Sequence, residues 1–122
     1  MENLLIAVRS EALTAALSDI LTQYHVHICH SGPKAVEMID AIRPKLLILD
    51  LRLPDLDGLS VLSRAGYTPP VILGLADIVT DTVLHRAHRA GVDSLVLIPC
   101  SARHVAERLH ELVPNKATSS GT

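Results

Sequence analysis

The run Leu46-Leu47-Ile48-Leu49-Asp50 constrains this chain more than any other stretch. Consecutive apolar residues without alternation describe a strand covered on both faces, the condition of a strand inside a parallel α/β sheet. The run stops on a carboxylate. Open α/β sheets build their sites at the carboxyl edge of the strands. Asp50 is therefore placed at such an edge, with the turn-rich segment Leu51-Arg52-Leu53-Pro54-Asp55-Leu56-Asp57-Gly58 beside it.

The rest of the chain repeats the pattern. Leu4 to Val8, Pro70 to Leu75 and Ser94 to Ile98 read as further strands, and His25 to His30 alternates around Val26 and Ile28 as a more exposed one. Between them lie helical patterns. Ser10 caps a helix in which Leu13, Leu17, Ile20 and Leu21 share a face. Pro33 suits the first turn of a second, with Val36 and Ile39 facing in. Asp57 caps a short third helix carrying Leu59 and Leu62 and closed by Gly66. A fourth runs from about Val79 to Ala90 and ends at Gly91. Ser101 caps a fifth with Val105, Leu109 and Leu112 in register.

Alternation of this kind predicts a doubly wound, flavodoxin-like parallel sheet of order 2-1-3-4-5 with helices on both faces. Residues 1–113 form one domain on this reading. Pro114 to Thr122 is polar and small, a flexible tail or the start of a linker to an output domain.

Composition removes several functions. Aromatic residues are 2% of the 122, with no Phe or Trp, so bases have no stacking platform. A formal net charge of -2 supplies no cationic surplus for phosphates, which argues against nucleic-acid binding by this segment. No apolar run approaches the roughly 18 residues of a membrane helix, and the amino terminus lacks the charged lead and long apolar stretch expected of a signal peptide. Cys29 and Cys100 form no metal motif, so reduced thiols in the cytoplasm are expected. His25 with His27, and His85 with His88, share faces but lack the third or fourth ligand of a tight zinc site, about the minimum such a site takes.

The ordered set Asp50, Pro54 and Gly58, then Pro70-Val71-Ile72, Ala76, Ala90-Gly91 and Pro99, resembles the response regulator receiver domain over Leu4 to Val113. The resemblance implies a phosphate-accepting aspartate at Asp50. It also implies Mg²⁺ held by acids after the first strand, a hydroxyl ending the fourth strand, a lysine before the last proline and an aromatic switch residue on the fifth strand. This chain has Val8-Arg9, Leu75, Ile98 and Leu95 at those places. The acceptor aspartate is what remains of the set. Mg²⁺ wants several oxygen ligands in near-octahedral geometry, and phosphoryl transfer leans on metal and cation charge. The expectation is thus a degenerate, pseudo-receiver type that binds no Mg²⁺, is not an enzyme, and signals by protein contact.

Val8, Arg9, Leu75, Ala76, Ile98 and Pro99 should line the crevice around Asp50. A carboxylate without metal needs compensation, and Arg9 is the expected partner, with solvent, Asp57 or Asp77 as its other destinations. The resemblance further implies a partner or self-pairing face on the fourth helix, fifth strand and fifth helix. Arg86, Arg89, Leu95, Arg103 and Arg108 are its candidate residues, although helix-dipole compensation also accounts for the cations that end the fourth helix. Two rival readings stay open. One is a phosphoacceptor with atypical chemistry that regulates an attached DNA-binding domain. The other is a small flavodoxin-shaped ligand-binding enzyme, which would need the Gly-rich loop or stacking aromatics that this chain lacks.

Overall fold

A computed structural model describes residues 1–120, with side chains through Pro114. Five strands alternate with five helices: β1 (Asn3–Ala7), α1 (Glu11–Ile20), β2 (His25–Cys29), α2 (Gly32–Ile42), β3 (Leu46–Asp50), α3 (Gly58–Arg64), β4 (Val71–Ala76), α4 (Asp81–Ala90), β5 (Ser94–Leu97) and α5 (Ala102–Ser120). The strands form one parallel sheet in the order β2-β1-β3-β4-β5. This is the flavodoxin-like topology that the alternation predicts, and it leaves the polar β2 on an edge.

The period of two along each strand divides the core. Leu4, Ile6, Ile48, Leu73 and Leu75 face α1 and α5, where they meet Leu17, Leu21, Val105 and Leu109. Leu5, Ala7, Leu47, Leu49 and Ile72 face the opposite layer and meet Ala35 and Ile39 of α2, Val61 of α3 and Ala87 of α4. Each large aliphatic side chain buried this way contributes roughly 1.5–3 kcal/mol of transfer free energy. β3 and β4 are buried at every position, which explains why their sequences read as continuous apolar runs.

Capping side chains fix the helix starts. Ser10, Ser31, Asp57 and Thr80 each accept a hydrogen bond from the backbone N–H three residues on. Ser101 does the same for His104. At its other end α4 stops on Gly91, whose φ of 103° is left-handed and favours glycine.

Several expectations shift. Ile20 is 41% exposed. It lies roughly 60° around the helix from Leu17, and the buried face is instead centred on Thr14, Leu17 and Leu21. On α3 the fully buried residue is Val61, while Leu59 and Leu62 pack from its flanks. Gly66 does not close that helix. Ala65 ends it in an extended conformation, and the Gly66 N–H donates to Asp40 Oδ1 at 2.8 Å. α4 begins at Asp81 rather than near Val79, because Thr80 supplies the cap. α5 passes through Pro114 to Ser120, so the segment expected to be a tail is helical as far as it is described. The last two residues, 121–122, lie outside the described residues.

Candidate functional site

β3 delivers Asp50 to the carboxyl edge of the sheet, opposite Leu75 of β4. The side chain is 0% exposed. Its oxygens are nevertheless satisfied. Oδ2 accepts from the Arg9 backbone N–H at 3.0 Å. Oδ1 accepts from the Arg52 backbone N–H at 2.9 Å and from Arg52 Nε at 3.3 Å. A buried carboxylate needs such partners.

Arg9 is not the counter-ion. Its amide points inward while its side chain is exposed, and among the described residues it makes no ion pair with Asp50. The cation on Asp50 is Arg52. The reason is local. An aspartate readily accepts from the N–H two residues on, closing a tight turn. Once Arg52 N is drawn onto Oδ1, the guanidinium of the same residue is within reach. The chain after Arg9 instead turns outward to let Ser10 cap α1.

Arg52 reaches further. Its Nη1 lies 3.9 Å from Asp77 Oδ2, at the start of the connection from β4 to α4. It therefore stands between two open cavities. One, of about 290 Å³, runs toward α3 and α4 and is lined by Asp57, Asp77, Val83 and Arg86. The other, of about 220 Å³, runs toward α1 and is lined by Ser10, Leu13, Ile98 and Cys100.

Of the other residues expected around Asp50, at the ends of β1, β4 and β5, Ala76, Ile98 and Pro99 line these cavities, while Val8 and Leu75 pack into the core on the α1 and α5 side. Val8, Leu75, Ala76 and Ile98 are buried and apolar, and Pro99 is exposed. His30 Nδ1 donates to the Val8 carbonyl at 2.9 Å and ties the end of β2 to the same edge. A divalent cation does not fit this donor set. The carboxylate that would ligate it carries a guanidinium, and the described residues contain no group of three or more His, Cys, Asp or Glu side chains able to hold a metal.

The two histidine pairs stay apart from the site. His27 Nε2 bonds Asn3 Oδ1 at 3.1 Å on the β2 edge, and His85 and His88 are exposed on α4. Both thiols are free. Burial pushes Cys29 up to about 11 and raises Cys100 as well, which opposes thiolate reactivity.

On the α4 side, Arg86, Arg89 and Arg103 are exposed as expected. Arg108 is engaged within the chain: Nη2 donates to Ser94 Oγ at 2.7 Å, and Nη1 lies 3.7 Å from Glu111. Leu95 is half-buried against the α4 layer. The exposed apolar residues are instead Ile78 and Val79 in the β4–α4 connection, Leu84 on α4 and Leu97 on β5. Arg52 and Leu97 are the residues that sequence reasoning missed, and Asp77, expected as a possible destination of Arg9, meets Arg52 instead. The usable signal for Arg52 was its position two residues after a strand-ending aspartate.

The family model described as response regulator receiver domain matches residues 5–110. The transcriptional regulatory protein TrcR of Mycobacterium tuberculosis is 34% identical over 94 residues, which are 74% of this chain and 36% of that protein. The response regulator protein VraR of Staphylococcus saprophyticus is 30% identical over 89 residues, 71% of this chain and 43% of that protein. The chain thus spans well under half the length of these curated relatives. Among solved structures, a CheY-like receiver domain protein from Methanospirillum hungatei superposes with a TM-score of 0.86 at 20% identity, covering 98% of both chains. A receiver domain of the Pseudomonas aeruginosa sensor histidine kinase PA1611, solved with magnesium coordinated in its active site cleft, gives 0.76 at 18% identity over 93% of this chain and 98% of that one. These two show the fold; the family match together with the ordered residues Asp50, Pro54, Gly58 and Pro99 on that fold makes this chain a member of the response regulator receiver domain family.

Proposed function

We propose that this receiver domain signals by contact, in one standing conformation, and that Mg²⁺-dependent phosphorylation of Asp50 is not its switch. The observation that carries the reading is the closure of Asp50. The carboxylate is fully buried, holds three N–H donors, and is ion-paired with Arg52. The Arg52 guanidinium sits on Oδ1 and the Arg9 N–H on Oδ2, so a phosphodonor would have to displace one of these donors to reach either oxygen. No second acid, hydroxyl or lysine stands at Val8, Arg9, Leu75 or Ile98 to support the transfer.

The contact surface is the side formed by α4, β5 and α5. Exposed Leu84 and Leu97 provide apolar area there, and Arg86, Arg89 and Arg103 provide charge. A partner, or a second copy, with acidic or alternating-sign charge matches it. Among the relatives, the TrcR protein is called a transcriptional regulatory protein, and a Staphylococcus aureus structure of similar fold is called a DNA-binding response regulator of the LuxR family. We assign this domain the corresponding regulatory role in a longer regulator that carries a DNA-binding output domain; the domain itself binds no nucleic acid.

The rival reading keeps Asp50 as an acceptor with Arg52 in place of metal charge. A magnesium titration followed by amide chemical shifts separates the two. The contact reading expects no saturable shift at Arg9, Asp50 or Arg52 up to about 10 mM Mg²⁺, since one shielded carboxylate is a poor ligand set. Saturation in the low millimolar range contradicts it. The surface is tested by reversing charge at Arg89 and Arg103. Sedimentation should show weaker, less salt-sensitive association with the fold unchanged by circular dichroism.

A further inference from the structure

Another open cavity, of about 290 Å³, shares no lining residue with the two beside Asp50. It is a groove lined by Pro33 and Val36 of α2, Asp55 and Leu56 of the β3–α3 connection, and Arg64 at the end of α3. The connection is pinned where it closes the groove. Gly32 N donates to the Pro54 carbonyl at 3.1 Å. The start of α2 backs so closely onto the loop that a Cβ at Gly32 would overlap the Leu56 carbonyl. Between these two contacts Asp55 holds a left-handed φ of 70°, which aspartate tolerates better than most residues. Its backbone is thus fixed from both sides while the residue itself stays exposed.

Two charges of opposite sign stand on this groove and do not meet. Asp55 and Arg64 are both exposed, and among the described residues neither has an ion-pair or side-chain hydrogen-bond partner. Pro33, Val36 and Leu56 supply the apolar part of the lining. As the last residue of α3, Arg64 also complements the helix dipole, which accounts for its sign but not for a carboxylate on the same groove. We propose that the groove binds a small zwitterion with an aliphatic body, a free amino acid of leucine size. Its carboxylate goes to Arg64, its ammonium to Asp55, and its side chain onto Pro33, Val36 and Leu56. Volume sets the size, since about 290 Å³ lies just under the roughly 300–1,000 Å³ of pockets that take drug-sized ligands. Charge sets the class. A nucleotide or other polyanion meets Asp55, a polyamine meets Arg64, and each like-charge contact opposes binding; a ligand carrying both signs satisfies both walls. The site is independent of the contact reading above, because it shares no residue with the α4, β5 and α5 side.

Titration of the full chain with L-leucine, followed by amide chemical shifts at Val36, Asp55, Leu56 and Arg64, tests the site. Saturation is expected with a Kd of about 1–10 mM, the strength that a few heavy atoms and two solvent-screened ion pairs supply. 4-Methylpentanoate lacks the ammonium and 3-methylbutylamine lacks the carboxylate. Each should bind about two- to fivefold more weakly than leucine, the range of one screened pair. Asp55→Asn keeps a residue that accepts the left-handed conformation. It should weaken leucine by about the same two- to fivefold and leave 4-methylpentanoate unchanged. Arg64→Gln should weaken leucine likewise and leave 3-methylbutylamine unchanged. Circular dichroism of both variants should match the wild type. The site is overturned by the absence of a saturable shift at these amides up to about 50 mM leucine, by shifts centred on Arg9 and Arg52 instead, by equal affinities for leucine and its single-charge analogues, or by an unchanged leucine affinity in either variant.

Discussion

β3 buries all five of its residues, Asp50 included, whereas α4 buries one of ten. β3 belongs to the central sheet and α4 to a helical layer packed on it, and they answer to different constraints. β3 sits between β1 and β4 with a helical layer on each side, so every side chain must be apolar or fully bonded. α4 lies beside the sheet's outer strand β5 and touches the core through Ala87, which leaves most of its surface to solvent or to a partner. The difference teaches where information can be stored. The centre fixes the fold and tolerates a charge when Arg52 and two backbone amides close around it. The α4 side can change its contacts without disturbing that core.

This contrast can be broken most forcefully by truncation. Leu73→Ala, in the centre of β4, should cost about 2–5 kcal/mol in denaturant unfolding, while Leu84→Ala on α4 should stay within about 0.5 kcal/mol. Comparable losses at the two sites would erase the distinction between them.

The next effect concerns the charge in the centre. Arg52→Ala leaves Asp50 with backbone donors alone, and a loss of about 1–3 kcal/mol is expected, less than for a fully buried pair because Arg52 is partly wet. Arg9→Ala keeps the amide that Asp50 uses and should cost no more than about 0.5 kcal/mol. A double-mutant cycle sharpens the assignment: Arg52 and Asp50 should couple, and Arg9 and Asp50 should not.

A smaller, pH-dependent effect is expected at the α3 cap. The Ser60 N–H holds the Asp57 carboxyl below its ordinary 3.8. Folding therefore favours the charged form. The stabilisation is complete above that ordinary value and is lost as pH falls through the lower folded-state pKa. Asp57→Ala should cost about 0.5–2 kcal/mol near neutrality. The gap between the two proteins should narrow below about pH 4. A gap that widens there would mean that the carboxylate is not the cap's active form.

The sheet was legible in the sequence because its strands are short apolar runs between cap and turn residues. Ser10, Asp57, Gly91 and Ser101 mark boundaries through backbone chemistry that one residue can dictate. Helix faces were less legible where the buried stripe is centred on a polar residue, as at Thr14, or on one β-branched residue, as at Val61. The continuation of α5 through Pro114 was not legible, because a proline signals a break. At the site, Val8-Arg9, Leu75 and Ile98 are read directly at the places where the resemblance implies acids, a hydroxyl and a lysine. The identity of Asp50's partner was not, since Arg9 and Arg52 both lie at the carboxyl edge. A backbone turn decides between them, and side-chain type alone does not carry that.

The central claim is that Arg52 closes Asp50 to phosphorylation. Intact-mass spectrometry after incubation with acetyl phosphate and Mg²⁺ tests it most directly, run on the wild type beside Asp50→Ala. The account predicts one unshifted mass for both proteins. A wild-type fraction heavier by one phosphoryl group, absent from Asp50→Ala, would contradict it and make Asp50 a working acceptor.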